Sequence, residues 1–161
     1  MERIVIIGCG GAGKSTLARQ LGEKLRIPVV HLDKLFWKPG WVSISRDEFD
    51  VLHRDALSGE RWIIDGNFAS TMEMRLAACD TVFFLDYSLE VCLSGIADRR
   101  GKPRPDMPWI GLEEDEVFLA YIRNYNEESR PQVLELLAKY PDKQVIVFHD
   151  RAEASAFLEN M

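Results

Sequence analysis

Short, near-continuous apolar runs recur along the chain, separated by longer stretches in which apolar residues return at helical spacing. The runs are RIVIIG (3–8), PVVHLD (28–33), RWIIDG (61–66), TVFFLD (81–86) and QVIVFH (144–149). A strand covered on both faces has no polar side to present, so these runs predict five parallel strands inside a sheet. The stretches KSTLARQLGEKL, SRDEFDVLHRDAL, SLEVCLSGIADRR and DEVFLAYIRNYNEESRPQVLELLAKY carry the helical period, and RAEASAFLEN closes the chain in the same way. Alternation of this kind predicts an α/β sheet wrapped by helices. No repeat, linker or low-complexity segment divides the chain, and a single domain over residues 1–161 is expected. The least regular part is RRGKPRPDMPWIG (99–111), whose prolines, glycines and basic residues predict a loop able to move.

Composition narrows the partners. The chain is 47% hydrophobic, enough for a real core, and its 26 acidic against 20 basic residues leave a net charge of −6. That charge repels a polyanion unless basic groups gather on one face, so small molecules are favoured over nucleic acid. Cys9, Cys79 and Cys92 are odd in number and without CxxC spacing, and with only His31, His53 and His149 beside them no zinc pattern forms. They read as reduced thiols of a cytoplasmic protein. Neither a signal peptide nor a membrane span is expected, because glycines and a lysine interrupt the first apolar run.

The first strand runs straight into GCGGAGKST (8–16). Gly8, four residues, Gly13, Lys14 and Ser15 match GxxxxGK[ST] between a strand and a helix, the context that gives the pattern meaning. Glycines let the backbone turn tightly with its N–H groups pointing inward, and the following helix adds the positive end of its dipole. Gly8, Gly10, Gly11, Ala12, Gly13, Lys14, Ser15 and Thr16 are therefore the expected nucleoside triphosphate cradle. Lys14 would reach the β- and γ-phosphates, and the Ser15 hydroxyl would ligate Mg²⁺. Cys9 is expected to be a small filler.

What is done with the triphosphate must be decided at the other strand ends. Asp33 closes the second run and Asp65 the third, at the edge where open α/β sheets bind ligands. One carboxylate would serve the Mg²⁺ while the other orients or deprotonates an acceptor, and the sequence leaves open which does which. Capping of the following turn is the plainer alternative for both. Asp86 is expected to cap the helix that starts near Ser88. Phe36, Trp37 and Trp41, around Lys38, Pro39 and Gly40, form either an aromatic wall for a ring or ordinary packing. Asn67, at a strand end, and Arg75, on the helix after it, are candidate acceptor contacts.

GCGGAGKST, HLDKLFWKPGW, WIIDGNF, TVFFLD and RPDMPWI together resemble the P-loop kinase-like proteins described as DNA topology modulation or FlaR-like proteins, relatives of adenylate kinase. The resemblance covers residues 3 to about 125. It implies a parallel sheet in the order 2-3-1-4-5, a substrate-binding insertion after the second strand, and an arginine-bearing lid at about 99–112. Arg99 and Arg123 match lid and post-lid arginines that clamp phosphates in such kinases. Arg100, Lys102 and Arg104 lie in or beside the same basic stretch, and Trp109 would help close the lid over ATP or simply pack against Leu112. Two departures from adenylate kinase stand out: Ala69 replaces an arginine that grips the monophosphate, and Gly95 replaces one that stacks on adenine.

Two readings of function follow. One is a small-molecule kinase, a monomer or homodimer, that uses ATP and Mg²⁺: Lys14, Arg99, Arg123 and Asp33 would be catalytic, and Asp33, Phe36, Trp37, Trp41, Asp65, Asn67 and Arg75 would hold the acceptor, with Ser15 and Asp65 at the metal. The other is an ATP-binding regulator associated with DNA topology, touching nucleic acid through RRGKPR. No helix-turn-helix pattern or basic stripe supports it. A GTPase is more distant still, because no NKxD-like segment lies near the last strands.

Overall fold

The computed structural model describes residues 1–107 and 115–161. Its elements in chain order are β1 (Arg3–Gly8), α1 (Lys14–Leu25), β2 (Val29–His31), α2 (Leu32–Phe36), β3 (Trp37–Lys38), β4 (Val42–Ser43), α3 (Arg46–Leu57), β5 (Trp62–Asp65), α4 (Ala69–Ala78), β6 (Thr81–Leu85), α5 (Leu89–Arg99), α6 (Glu116–Glu128), α7 (Arg130–Ala138), β7 (Gln144–Phe148) and α8 (Arg151–Glu159). The five expected runs pair in parallel in the order β2-β5-β1-β6-β7. Counted among themselves along the chain, these strands stand 2-3-1-4-5, as the resemblance implies. β3 and β4 make a separate antiparallel hairpin in the insertion after β2.

Alternation along β1 divides the core, since successive side chains leave a strand on opposite faces. Ile4 and Ile6 pack with Leu17 and Leu21 of α1, Cys92 of α5, Ile122 of α6 and Leu158 of α8. Val5 and Ile7 pack on the other face with Phe49 of α3, Met72 and Leu76 of α4 and Val133 of α7. Burial on both faces holds for the central strands. At the edge, Val145 and Val147 of β7 stay 37% and 38% exposed, because nothing covers that end of the sheet completely.

Local rules set the helix boundaries. Ser45, Ser88, Asp115 and Asp150 cap α3, α5, α6 and α8 with their side-chain oxygens. The long helical stretch from residue 116 is divided into α6 and α7 at Ser129, with Pro131 in the first turn of the second helix, where its missing N–H costs nothing, and the expected lid at about 99–112 falls partly outside the described residues. Asp86 is not a cap. Ser88 takes that role, and the Asp86 carboxylate instead receives a two-pronged ion pair from Arg130 at 2.7 and 2.8 Å, pinning the start of α7 to the end of β6.

Two features fix the frame around the carboxyl edge of the sheet. The glycine-rich turn meets α5 with no side chain between them: a Cβ at Gly95 would sit 2.0 Å from the Gly11 carbonyl oxygen, and one at Gly11 would sit 2.0 Å from the Cys92 carbonyl oxygen. On the other face, α3 and α4 enclose a buried polar cluster. Arg75, fully buried, donates to Thr71 Oγ1 at 2.8 Å and to the Gly66 and Asn67 carbonyls at 3.2 and 2.5 Å, with His53 Nε2 at 3.5 Å. Burial and the neighbouring Arg75 lower the His53 pKa to about 4, opposed by Asp50, so the ring is neutral in the fold.

Gly95→Ala is expected to cost about 1–3 kcal/mol in urea unfolding even though alanine is the better helix former, because the methyl meets backbone that cannot swing aside. Gly59→Ala, whose Cβ has nothing nearer than 3.6 Å, should stay within about 0.5 kcal/mol of the parent. His53 gives a pH dependence. Its stabilising contribution is complete above its ordinary value of 6.5 and is lost as pH falls towards 4, where the unfolded chain takes up a proton that the fold excludes. Thermal melts between pH 7 and 5 should therefore fall more steeply for the parent than for His53→Phe, and equal slopes would refute this.

Candidate active site

Four glycines and the end of β1 form the floor of the site. Gly8, Gly11 and Gly13 take φ of +151°, +81° and +97°, values that side chains rarely adopt, and the turn delivers the chain to α1 at Gly13. α1 has no side-chain cap and no acidic residue in its first turn, in contrast to the capped α3, α5, α6 and α8. Its free N–H groups and dipole thus face a cavity of about 950 Å³ that runs along the carboxyl edge of the sheet. An anion is the natural complement there. Gly10, Gly11, Gly13, Lys14, Ser15 and Thr16 line this cavity, while Gly8 and Ala12 are buried beneath it.

Lys14 arches back over its own turn, with Nζ 2.9 Å from the Gly8 carbonyl and 3.0 Å from that of Cys9. Burial lowers its pKa, and the carboxylates of Asp33 and Asp65 oppose that shift. Asp33, in the first turn of α2, lines the cavity and is accessible from it. Desolvation among the cavity walls raises its carboxyl pKa, Lys14 pulls it down, and Asp65 raises it further. Desolvation thus disfavours the charge on both groups, and each group's charge favours that of the other, a balance of the kind found at reacting centres.

Asp65 has a different surrounding. It ends β5 at 2% exposure, does not line the cavity, and lies 2.6 Å from His31 Nδ1. The carboxylates that do line the cavity are Asp33, Asp98, Asp106 and Asp115. Asp106 had not been singled out in the sequence. It lies beside the Ser15 hydroxyl and 3.3 Å from Arg19 Nη1. Burial disfavours its charge, but Arg104, the backbone, Ser15 and His31 outweigh that and lower its pKa. A residue of a proline-rich loop gives no local sequence signal for such a contact with α1.

The cationic residues separate into two groups. Arg99, at the end of α5, lines the cavity with its guanidinium 5.9 Å from the Phe118 ring centroid, a cation–π distance. Lys102 and Arg104 line it too. Arg123 is exposed on α6 and does not, because α6 turns Phe118, Tyr121 and Tyr125 inward and residue 123 falls on the far side of the helix. Arg75 likewise lies behind the wall, holding the Gly66 and Asn67 carbonyls in place rather than reaching into the cavity. Arg151, at the start of α8, is a further residue the sequence did not disclose. It lines the cavity, donates to the Gly11 carbonyl at 3.1 Å, and its Nη2 lies 2.8 Å from where a Cβ on Gly95 would be. Gly95 is thus small because the turn and Arg151 need its space.

The insertion after β2 splits its aromatics. Trp37 lines the cavity, Phe36 packs edge-on to Trp37, Phe49 and Phe68, and Trp41 packs edge-on to Trp37 at 5.7 Å. Asn67 joins floor and wall: its Oδ1 accepts from the Gly8 N–H at 3.3 Å and its Nδ2 donates to Tyr121 Oη at 3.0 Å. Phe68 beside it adopts φ +37°, a strained value for a non-glycine residue and one that structures hold mainly at sites of function. Trp109 lies outside the described residues.

Metal and membrane features are limited. No group of three or more His, Cys, Asp or Glu is arranged to hold a metal ion among the described residues. Mg²⁺ does not require one, since it keeps waters and takes one or two side chains with substrate phosphates. No helix among the described residues is long and apolar enough to cross a membrane.

No family model matches the chain. Among solved structures, a shikimate kinase from Bacteroides thetaiotaomicron is 21% identical with a TM-score of 0.56, covering 99% of this chain and 95% of that one. A shikimate kinase from Acinetobacter baumannii in complex with shikimate is 16% identical with a TM-score of 0.64, covering 99% of this chain and 90% of that one. At such identities the likeness speaks for the fold. With its strand order and its glycine-rich turn, the chain has the α/β P-loop fold of the shikimate kinases.

Proposed function

We propose that the chain is an ATP-dependent small-molecule kinase built as one domain over residues 1–161. The observation that carries this reading is the uncapped start of α1. It opens into a closed-in cavity whose wall places a carboxyl, Asp33, near Lys14. A purely structural turn has no use for an uncapped helix end, a half-buried ammonium and an opposing carboxyl in one place.

Bound ATP·Mg²⁺ supplies the phosphoryl group and offsets part of its charge. In this reading the amides of residues 10–16 and Lys14 would hold the phosphates, Ser15 would ligate Mg²⁺, and Asp33 and Asp106, which line the cavity, would orient its water. Asp65 supports this arrangement from behind through His31. Arg99, Lys102 and Arg104 bring positive charge from the lid side, where charge grows during transfer. Asp33, with its raised pKa, accepts the proton of the attacking hydroxyl. Membership in the topology-modulation family belongs to this proposal. The DNA-associated regulator rests on RRGKPR, and three of its cationic residues, Arg99, Lys102 and Arg104, line the cavity instead of forming an outer stripe.

Two variants test the reading. Lys14→Ala should weaken ATP·Mg²⁺ binding in calorimetry by at least about tenfold, through loss of a buried charge partner. Asp33→Asn should bind ATP within a few-fold of the parent yet transfer phosphate to acceptors in a metabolite extract at least about 100-fold more slowly, read by mass spectrometry with γ-labelled ATP. Absence of ATP binding by the parent protein at millimolar concentration would overturn the kinase reading.

A further inference from the structure

The cavity is charged at one end and apolar at the other. Its cationic residues are Lys14, Arg19, Arg99, Lys102, Arg104 and Arg151, all from α1, from α5 and the segment after it, or from α8. The opposite wall comes from the insertion after β2, from α4 and from α7, and consists of Trp37, Phe68, Met72, Val133 and Leu136. No lysine or arginine lines this end among the described residues, and residues 108–114, PWIGLEE, contain none to add. Ala69, beside Phe68, offers only a methyl group. Arg75, the cation behind the wall, gives its terminal nitrogens to Thr71, Gly66 and Asn67.

One polar group at this end lacks a partner. Tyr125 is 3% exposed, lines the cavity, and its hydroxyl makes no hydrogen bond among the described residues. A buried phenol without a partner carries its desolvation penalty uncompensated, so a ligand atom that accepts or donates there is the natural completion. Gln132 and Ser129 line the cavity beside it and are neutral too. Among the described residues, every polar group that this end presents is thus uncharged, apart from Asp33 at its boundary with the phosphate turn.

We propose, resting on the kinase reading, that the acceptor is an uncharged alcohol with a flat apolar or aromatic body and one further neutral polar group, rather than a nucleoside monophosphate or a carboxylate. An anion moved from water to this wall would lose its hydration and meet no counter-charge, and it would also be repelled by Asp33. A neutral ring loses little and gains the aromatic contacts of Trp37 and Phe68. The hydroxyl of such an acceptor lies towards Asp33. Its oxygen bonds to the γ-phosphorus, the bond from that phosphorus to the β,γ-bridging oxygen breaks, ADP leaves with the electron pair, and the hydroxyl proton passes to Asp33.

Matched pairs that share one body test the assignment by calorimetry, with no turnover needed. Tryptophol against indole-3-acetate, and adenosine against AMP, are titrated into the free protein and into protein saturated with AMP-PNP and Mg²⁺. The neutral member of at least one pair should bind ten times or more tighter than its anion once AMP-PNP occupies the phosphate turn, and Tyr125→Phe should weaken the neutral ligand about threefold or more in both states. Gln132→Arg, at an exposed position, should raise the affinity for indole-3-acetate at least fivefold. Equal or tighter binding of the anions with AMP-PNP in place, or no measurable binding of any member at 10 mM, overturns the proposal. Failure of AMP-PNP to bind is a separate result that strikes the kinase reading alone, because the effect of Tyr125→Phe is still read in the free protein.

Discussion

Two backbones touching without a side chain between them hold the site together. Gly11 in the phosphate turn and Gly95 in α5 meet at carbonyl distance, and Arg151 from α8 closes the same junction by donating to Gly11. A turn with φ values as unusual as those at Gly8, Gly11 and Gly13 is costly for most sequences and needs its surroundings to define it. α5 and Arg151 provide that definition from one side, and Asn67, accepting from the Gly8 N–H, provides it from the other. The position of Lys14, the direction of α1 and the floor of the cavity all follow from this clasp.

The two faces of the sheet then do different work. The face that carries α1, α5 and α8 supplies almost all the positive charge, and the face that carries α3, α4 and α7 supplies almost none. A cavity that crosses the carboxyl edge inherits both characters. It is this division, more than any single residue, that gives the site a cationic end and an apolar end. Asp33 stands between them because α2 begins directly after β2, leaving no loop in which the carboxyl could swing out.

Much of this was legible in the residues. The five strand runs and α1 to the residue depend on short-range patterns that the chain spells out locally, whereas the strand order is implied only by the resemblance. The likeness to solved kinase structures agrees with the strand order expected from the resemblance. What could not be read depends on which residues meet across the fold. Nothing near Arg151 says that it will reach Gly11, nothing near Asp106 says that it will sit beside Ser15, and Asp86 looks like a cap until Arg130 claims it. Arg75 and Arg123 illustrate the same limit: a helix position gives the residue but not the face, and here those faces point into the core and into solvent. Gly95 misled in another way, since its small size reads as a lost contact when it is in fact a requirement of packing.

Phe68 ties the acceptor wall to a region far from any chemistry. Its left-handed backbone is held by rings packed around it, Phe36 at 5.1 Å and Phe49 at 4.9 Å, and Phe49 in turn stacks on His53. The shape of the wall is therefore inherited from rings, Phe36 and Phe49, that do not themselves line the cavity. Substitutions accumulating among those rings would reshape one end of the cavity while leaving the glycine-rich turn and Lys14 at the other end untouched.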